Sequence, residues 1–251
     1  MGVAVLENKK AGLLVVLLMS LMLVAITLAN DTVALTASVG EMSGLLITLL
    51  TDSAGHKGFL ITLAVLGVAM LRLPLSREAV LAKGLQLAVI LLIGFASKTA
   101  LKELTESPRP YTEYLAQAEL IDSAEDFYHL SAPQRDEVIE NASHHVNTWR
   151  TLHWKGEKDY SFPSGHTIFV AICVAFFGGL FLQHRHWASL VILMTWAGGV
   201  CYSRLWIGMH RPEDLFASTA FVAVVYIVTP SFPKIARLLV PYVPKRLFSQ
   251  N

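Results

Sequence analysis

Two histidines, one aspartate and three cations are spaced along this chain as a phosphate-transferring site would need them. His210 precedes Asp214 by four residues, so on a helical turn the two side chains can touch. A carboxylate on one imidazole nitrogen fixes the tautomer and raises the basicity of the other, as in a catalytic triad. The free nitrogen of His210 is then a candidate nucleophile toward phosphorus. His166 opens a different apolar run and can protonate a leaving oxygen. Lys102, Arg109 and Arg204 supply fixed positive charge. Arginine's fork matches phosphate in two bonds, whereas lysine acts as a point charge. Pro163-Ser164-Gly165 ahead of a helix leaves backbone N–H groups free at its positive end. Gly165 lets a ligand approach the backbone closely, and the Ser164 hydroxyl adds a donor. Pro110 fixes the chain after Arg109, and Pro212 suits a first helical turn.

Taken singly, each of these has an ordinary reading. A His–Asp pair at this spacing is more often a local helix contact. Lys98 and Lys102 read as interfacial anchors, and Arg204 as a snorkelling side chain. His56, His129, His144, His145 and His153 lack motif context and read as surface residues. Cys173 and Cys201 lie in apolar runs and read as small buried hydrophobes. The weight comes from three clusters occurring together and in order.

The elements that must position these clusters are membrane helices. Of 251 residues, 54% are hydrophobic and 16% charged, against about 25% charged in an ordinary soluble domain. A net charge of +1 excludes bulk nucleic-acid binding. Two cysteines cannot build a disulfide framework or a Cys-rich zinc site. A span needs about 20 apolar residues. The runs predict an all-α integral membrane protein, a single domain over 1–251, with helices at 11–29, 56–73, 79–101, 164–183, 187–204 and 213–231. The first run is longer than a signal-peptide core and reads as a retained helix. Leu45–Leu50 reads as a packed or interfacial turn. Residues 107–161 read as a small, acidic, mostly helical insert between the third and fourth helices. With six crossings, all three clusters fall on one membrane face. The loops and tails of the opposite face hold ten of the 20 Lys and Arg, with only Glu7 and Glu78 against them. Such a face is expected to be cytoplasmic, with both termini there and the clusters outside.

Lys102-x6-Arg109-Pro110, then Pro163-Ser164-Gly165-His166, then Ser203-Arg204-x5-His210-x3-Asp214 resembles the three-part signature of the type 2 phosphatidic acid phosphatase superfamily. That superfamily also includes vanadium haloperoxidases and glucose-6-phosphatase. The long insert and Phe127-Tyr128-x-Leu130 look like its bacterial membrane-bound phosphatases. The resemblance implies that His210 forms a phosphohistidine, Asp214 orients it, and His166 serves the leaving group. It implies that Lys102, Arg109, Ser164, Gly165 and Arg204 hold the phosphate, and that no metal or cofactor is needed. Expected partners are phosphatidylglycerophosphate, undecaprenyl diphosphate and phosphatidic acid, entering sideways from the outer leaflet of a bacterial inner membrane at its periplasmic face. Catalysis needs one chain, so a monomer is expected. The alternatives are a chief role in undecaprenyl diphosphate recycling, a haloperoxidase, or a transporter lined by membrane-edge charge.

Overall fold

The structure, a computed structural model, describes residues 9–29 and 34–243. Among these residues every regular element is helical. Glu7, Lys245 and Arg246, which enter the charge asymmetry, lie outside the described residues.

Helix α9 is the axis of the fold. It runs over Gly165–Gln183, with one π-helical turn at Val174–Gly178. Its sequence is apolar on all sides, so it has no face to offer water. Residues 167–181 are buried without interruption. Around it stand α1 (Lys10–Ala29), α4 (Arg77–Thr105), α10 (Trp187–Trp206) and α11 (Pro212–Val228), sharing one apolar core. Glycine permits the closest of these approaches. A Cβ on Gly12 of α1 would lie 2.4 Å from the Ala175 carbonyl oxygen. On the outside, Leu17, Leu60, Ile61, Leu92, Ile192 and Val228 are exposed. An apolar belt of that extent belongs in lipid rather than in water.

Among the described residues, four helices are individually long and apolar enough to cross a membrane, or up to six spans if each of two bent pairs counts as one. The first bent pair corrects the sequence reading. Leu45–Leu50 is no turn but the middle of α2 (Glu41–Ala54), and α3 follows at Phe59–Leu71. The two meet at 74°. Alone, α3 has 13 residues, about 20 Å at 1.5 Å each, too short for a core of about 30 Å. Gly58 makes the elbow possible, because a Cβ there would sit 2.6 Å from the Asp52 carbonyl oxygen. The second bend, of 72°, separates α11 from Pro233–Tyr242. Pro230 and Pro233 interrupt the chain there. Lys9 caps the end of α11, donating from Nζ to the Tyr226, Ile227 and Thr229 carbonyls.

Between α4 and α9 lie four short helices: α5 (Pro110–Gln117), α6 (Asp126–His129), α7 (Ala132–Ala142) and α8 (Thr148–Gly156). They build a second core from Tyr111, Leu115, Phe127, Ile139, Val146 and Trp154. Tyr111 stacks on Trp154 at 4.9 Å. The indole N–H of Trp154 donates to the Ile207 carbonyl at 2.7 Å, which ties this layer to the end of α10.

Candidate active site

Five helix ends and one irregular strap, residues 157–164, converge on a single buried cluster. Asp214 sits in the first turn of α11, after Pro212 at its start. His210 lies just before that helix rather than on it. Asp214 reaches back, accepting at Oδ2 from the Arg211 amide at 3.0 Å and facing His210 Nδ1 at 3.3 Å. His210 Nε2 lies 3.5 Å from Arg109 Nη1. Both His210 and Asp214 are almost fully buried. Burial, then Arg109, Arg204 and Lys102, holds the His210 imidazolium pKa well below its usual value, so the ring is neutral at neutral pH.

The three cations are brought together from separate elements. Lys102 lies in the last turn of α4, Arg109 caps α5 ahead of Pro110, and Arg204 lies in the last turn of α10. All three are buried. Their partners are two carboxylates that sequence reasoning missed. Glu157 accepts from Arg204 Nη2 with both oxygens, each at 2.9 Å. It also lies 3.5 Å from Arg109 and 3.8 Å from His166 Nε2. Asp159 pairs with Arg109 at 2.5 Å and with Lys102 at 3.1 Å. Burial raises the Glu157 carboxyl pKa, but Arg204, His166 and Arg109 outweigh it and hold it well below 4.5. Lys102 also donates to the Tyr160 carbonyl, and Arg109 to the Met209 carbonyl at 3.1 Å. Arg204 Nη1 donates to Thr51 Oγ1 at 2.6 Å. Its buried Nε has no partner among the described residues.

Ser164 caps α9, its Oγ accepting from the Thr167 amide at 3.3 Å, and its own amide donates to Ser218 Oγ at 3.0 Å. The Gly165 and His166 amides donate to nothing among the described residues, so they are the free donors of this helix start. Pro163, buried, precedes the cap. Lys98 packs on Gly165, where a Cβ would lie 2.6 Å from Lys98 Cδ. It lines the cavity beside the motif residues, which its reading as a plain anchor did not anticipate. His153 is also corrected: it is buried, 3.2 Å from Thr48 Oγ1, and burial followed by Arg204 pushes its pKa down to about 4.

A cavity of about 780 Å³ opens over the cluster. His166, His210, Lys102, Glu157 and Asp159 line its polar part, while Ala54, Phe59 and Phe95 line an apolar side. The missed residues carried one readable signal. Glu157, Asp159 and Ser161 alternate just ahead of Phe162-Pro163-Ser164-Gly165-His166. In an extended chain such alternation puts side chains on one side.

By sequence the chain matches a known protein class. The PAP2 superfamily profile covers residues 83–237, which include all three motifs, and the chain belongs to that superfamily. Over 136 residues it is 33% identical to phosphatidylglycerophosphatase B of Escherichia coli (strain K12), a match covering 53% of each chain. Over 132 residues it is 35% identical to phosphatidylglycerophosphatase B of Haemophilus influenzae, covering 49% of this chain and 54% of that one. The chain thus matches about half the length of these curated relatives.

Proposed function

We propose that this chain is a membrane lipid phosphatase that removes the terminal phosphate of phosphatidylglycerophosphate, and also acts on undecaprenyl diphosphate and phosphatidic acid. The observation that carries the reading is His210. Its Nδ1 faces a buried carboxylate, and Arg109 flanks its Nε2 beside a cavity that Lys98, Lys102 and Lys158 line together with Glu157 and Asp159. A neutral imidazole so held is a nucleophile for phosphorus. Nε2 attacks the terminal phosphorus and a phosphohistidine forms as the ester oxygen leaves. His166 takes up a proton as the phosphate enters, gives it to that oxygen, and then takes one from the water that cleaves the intermediate. Lys102, Arg109, Arg204, the Ser164 hydroxyl and the amides at Gly165 hold the equatorial oxygens, where charge spreads in the transition state. No metal enters this scheme.

In this state the chain's own carboxylates occupy the cations, and an incoming phosphate must take their place. The mixed lining of the cavity suits an amphipathic substrate, its headgroup on the cluster and its chains toward Phe59 and Phe95. We take each bent pair as one crossing. Six crossings would bring the three motifs to one face, and the Lys- and Arg-rich loops of the other face support a periplasmic site in a bacterial inner membrane, with residues 107–161 beside it and both termini cytoplasmic. The unit is a monomer.

The test is phosphate release in detergent with EDTA present. The substrates are phosphatidylglycerophosphate, undecaprenyl diphosphate, phosphatidic acid and a soluble phosphate ester. Metal-independent release from a lipid, lost in His210→Ala, is the expected result. No release from any of the four would refute the reading.

A further inference from the structure

We propose that Ser161 is a positioning residue for the His210–Asp214 pair. The proposal rests on the phosphatase reading above and adds a third member to its nucleophile. Asp214 Oδ2 receives three donors. The shortest comes from Ser161 Oγ at 2.5 Å, against 3.0 Å from the Arg211 amide and 3.3 Å from His210 Nδ1. The same hydroxyl lies 3.3 Å from His210 Nδ1 itself. A hydroxyl has one proton to give and two lone pairs to accept with. Donating to Asp214, it can still accept from the Nδ1 proton, so that proton is shared between carboxylate and hydroxyl.

Without Ser161 the carboxylate would be fixed, apart from the imidazole it has to orient, by one amide of its own helical turn, and the terminal torsion of an aspartate is soft. The serine itself is rigidly placed. It is fully buried, its amide donates to the Ser107 carbonyl at 2.8 Å, and its strap is fastened again three residues on, where the Ser164 amide meets Ser218. Ser161 Oγ meets Asp214 Oδ2 and His210 Nδ1, not the Nε2 that is to react, so it acts through Asp214 and not on substrate. The strap that carries Glu157 and Asp159 to the cations thus also carries the hydroxyl that aims the nucleophile.

The test measures kcat and KM for phosphatidic acid in mixed micelles. The variants are Ser161→Ala, Ser161→Cys, Asp214→Ala and the double Ser161→Ala/Asp214→Ala. Hydrogen bonds to charged groups contribute about 1.5–3 kcal/mol, which converts to a loss of roughly 10–100-fold in kcat. That loss is expected in Ser161→Ala with KM within about twofold of the parent, the signature of an interaction made in the transition state. Cysteine keeps the volume and is a weak donor, so Ser161→Cys should lose as much. In the Asp214→Ala background, by single turnover, removing Ser161 should cost nothing further. Vanadate, a mimic of pentavalent phosphorus, should bind Ser161→Ala more weakly, while inorganic phosphate inhibits it as before. Full activity in Ser161→Cys would assign the position to packing and overturn the proposal. So would an equal loss in both backgrounds, or a rise in KM alone. A parent enzyme that releases no phosphate would instead sink the functional reading on which this one stands.

Discussion

The two halves of the cluster are built on different terms. On one side, His210, Asp214 and Ser161 are buried and satisfy one another. On the other, Lys102, Arg109 and Arg204 are just as buried, but the carboxylates they meet are more open. The Glu157 side chain is 26% exposed and that of Asp159 52%. The histidine side is closed on itself, whereas the cation side meets groups that are partly open to solvent. A buried cation without a counter-ion costs several kcal/mol. On the proposed function, a phosphate site of three such cations needs a placeholder when no substrate is bound, and the carboxylates of the strap are placed to serve as one.

The largest effect should come from breaking the histidine side. His210→Ala should reduce phosphate release to the assay floor with the fold retained in a detergent melting curve. Asp214→Asn should keep the fold and lower kcat by about 10⁴-fold, the size seen when a triad carboxylate is lost. Near-parental turnover in either variant would remove the role assigned to it. On the cation side, Arg204→Lys keeps a charge but loses the fork that meets both Glu157 oxygens and Thr51. By analogy with a lost oxyanion donor, kcat should fall about 10²–10³-fold, and inhibition by inorganic phosphate should weaken with it.

Glu157→Gln sharpens the contrast most directly. Breaking one partner of a buried pair costs about 3–5 kcal/mol, so the melting temperature should fall. Added phosphate should restore more stability in this variant than in the parent, and should inhibit it at lower concentration. If phosphate inhibits both alike, Glu157 is a scaffold residue and not a placeholder. The carboxyl is held below its ordinary 4.5, so its contribution is present above that value and is lost as pH falls through the lower folded-state pKa. The stability gap between parent and variant should therefore persist at pH 5 and close only in stronger acid. The smallest effect concerns pH and rate. On the proposed mechanism His210 reacts as the free base, and its pKa is depressed below 6.5, so its protonation should cut kcat/KM only below that pH. A limb from this group at or above 6.5, identified by its absence in a substrate-independent control titration, would contradict the burial that the cluster imposes.

How much of this was legible beforehand depends on the range of the interaction. The His210–Asp214 contact spans four residues, and local geometry alone brings such groups together. Helix α9 was legible because every side of it is apolar. Helix α2 was not, because its sequence, Glu41-Met-Ser-Gly-Leu-Leu-Ile-Thr-Leu-Leu-Thr-Asp-Ser-Ala54, mixes polar residues into a short run. Those polar residues are what it brings to the site. Thr51 meets Arg204, Thr48 meets His153, and Ser53 accepts from the Trp196 indole. Polarity that argued against a membrane-embedded helix is polarity turned inward to partners.

By itself, the sequence determined the chemical types at the site, the three motifs and their spacing, and the apolar runs that must leave water. Those follow from composition and from contacts within a turn or two. Only the tertiary structure decided that Glu157 faces Arg204 across 47 residues of chain, that Asp159 bridges Arg109 and Lys102, and that Ser161 meets Asp214. Charges so far apart in sequence have no local geometry to pair them. They meet because packing around α9 brings the ends of α4, α10 and α11 to one place, and burial there leaves each cation no water to turn to.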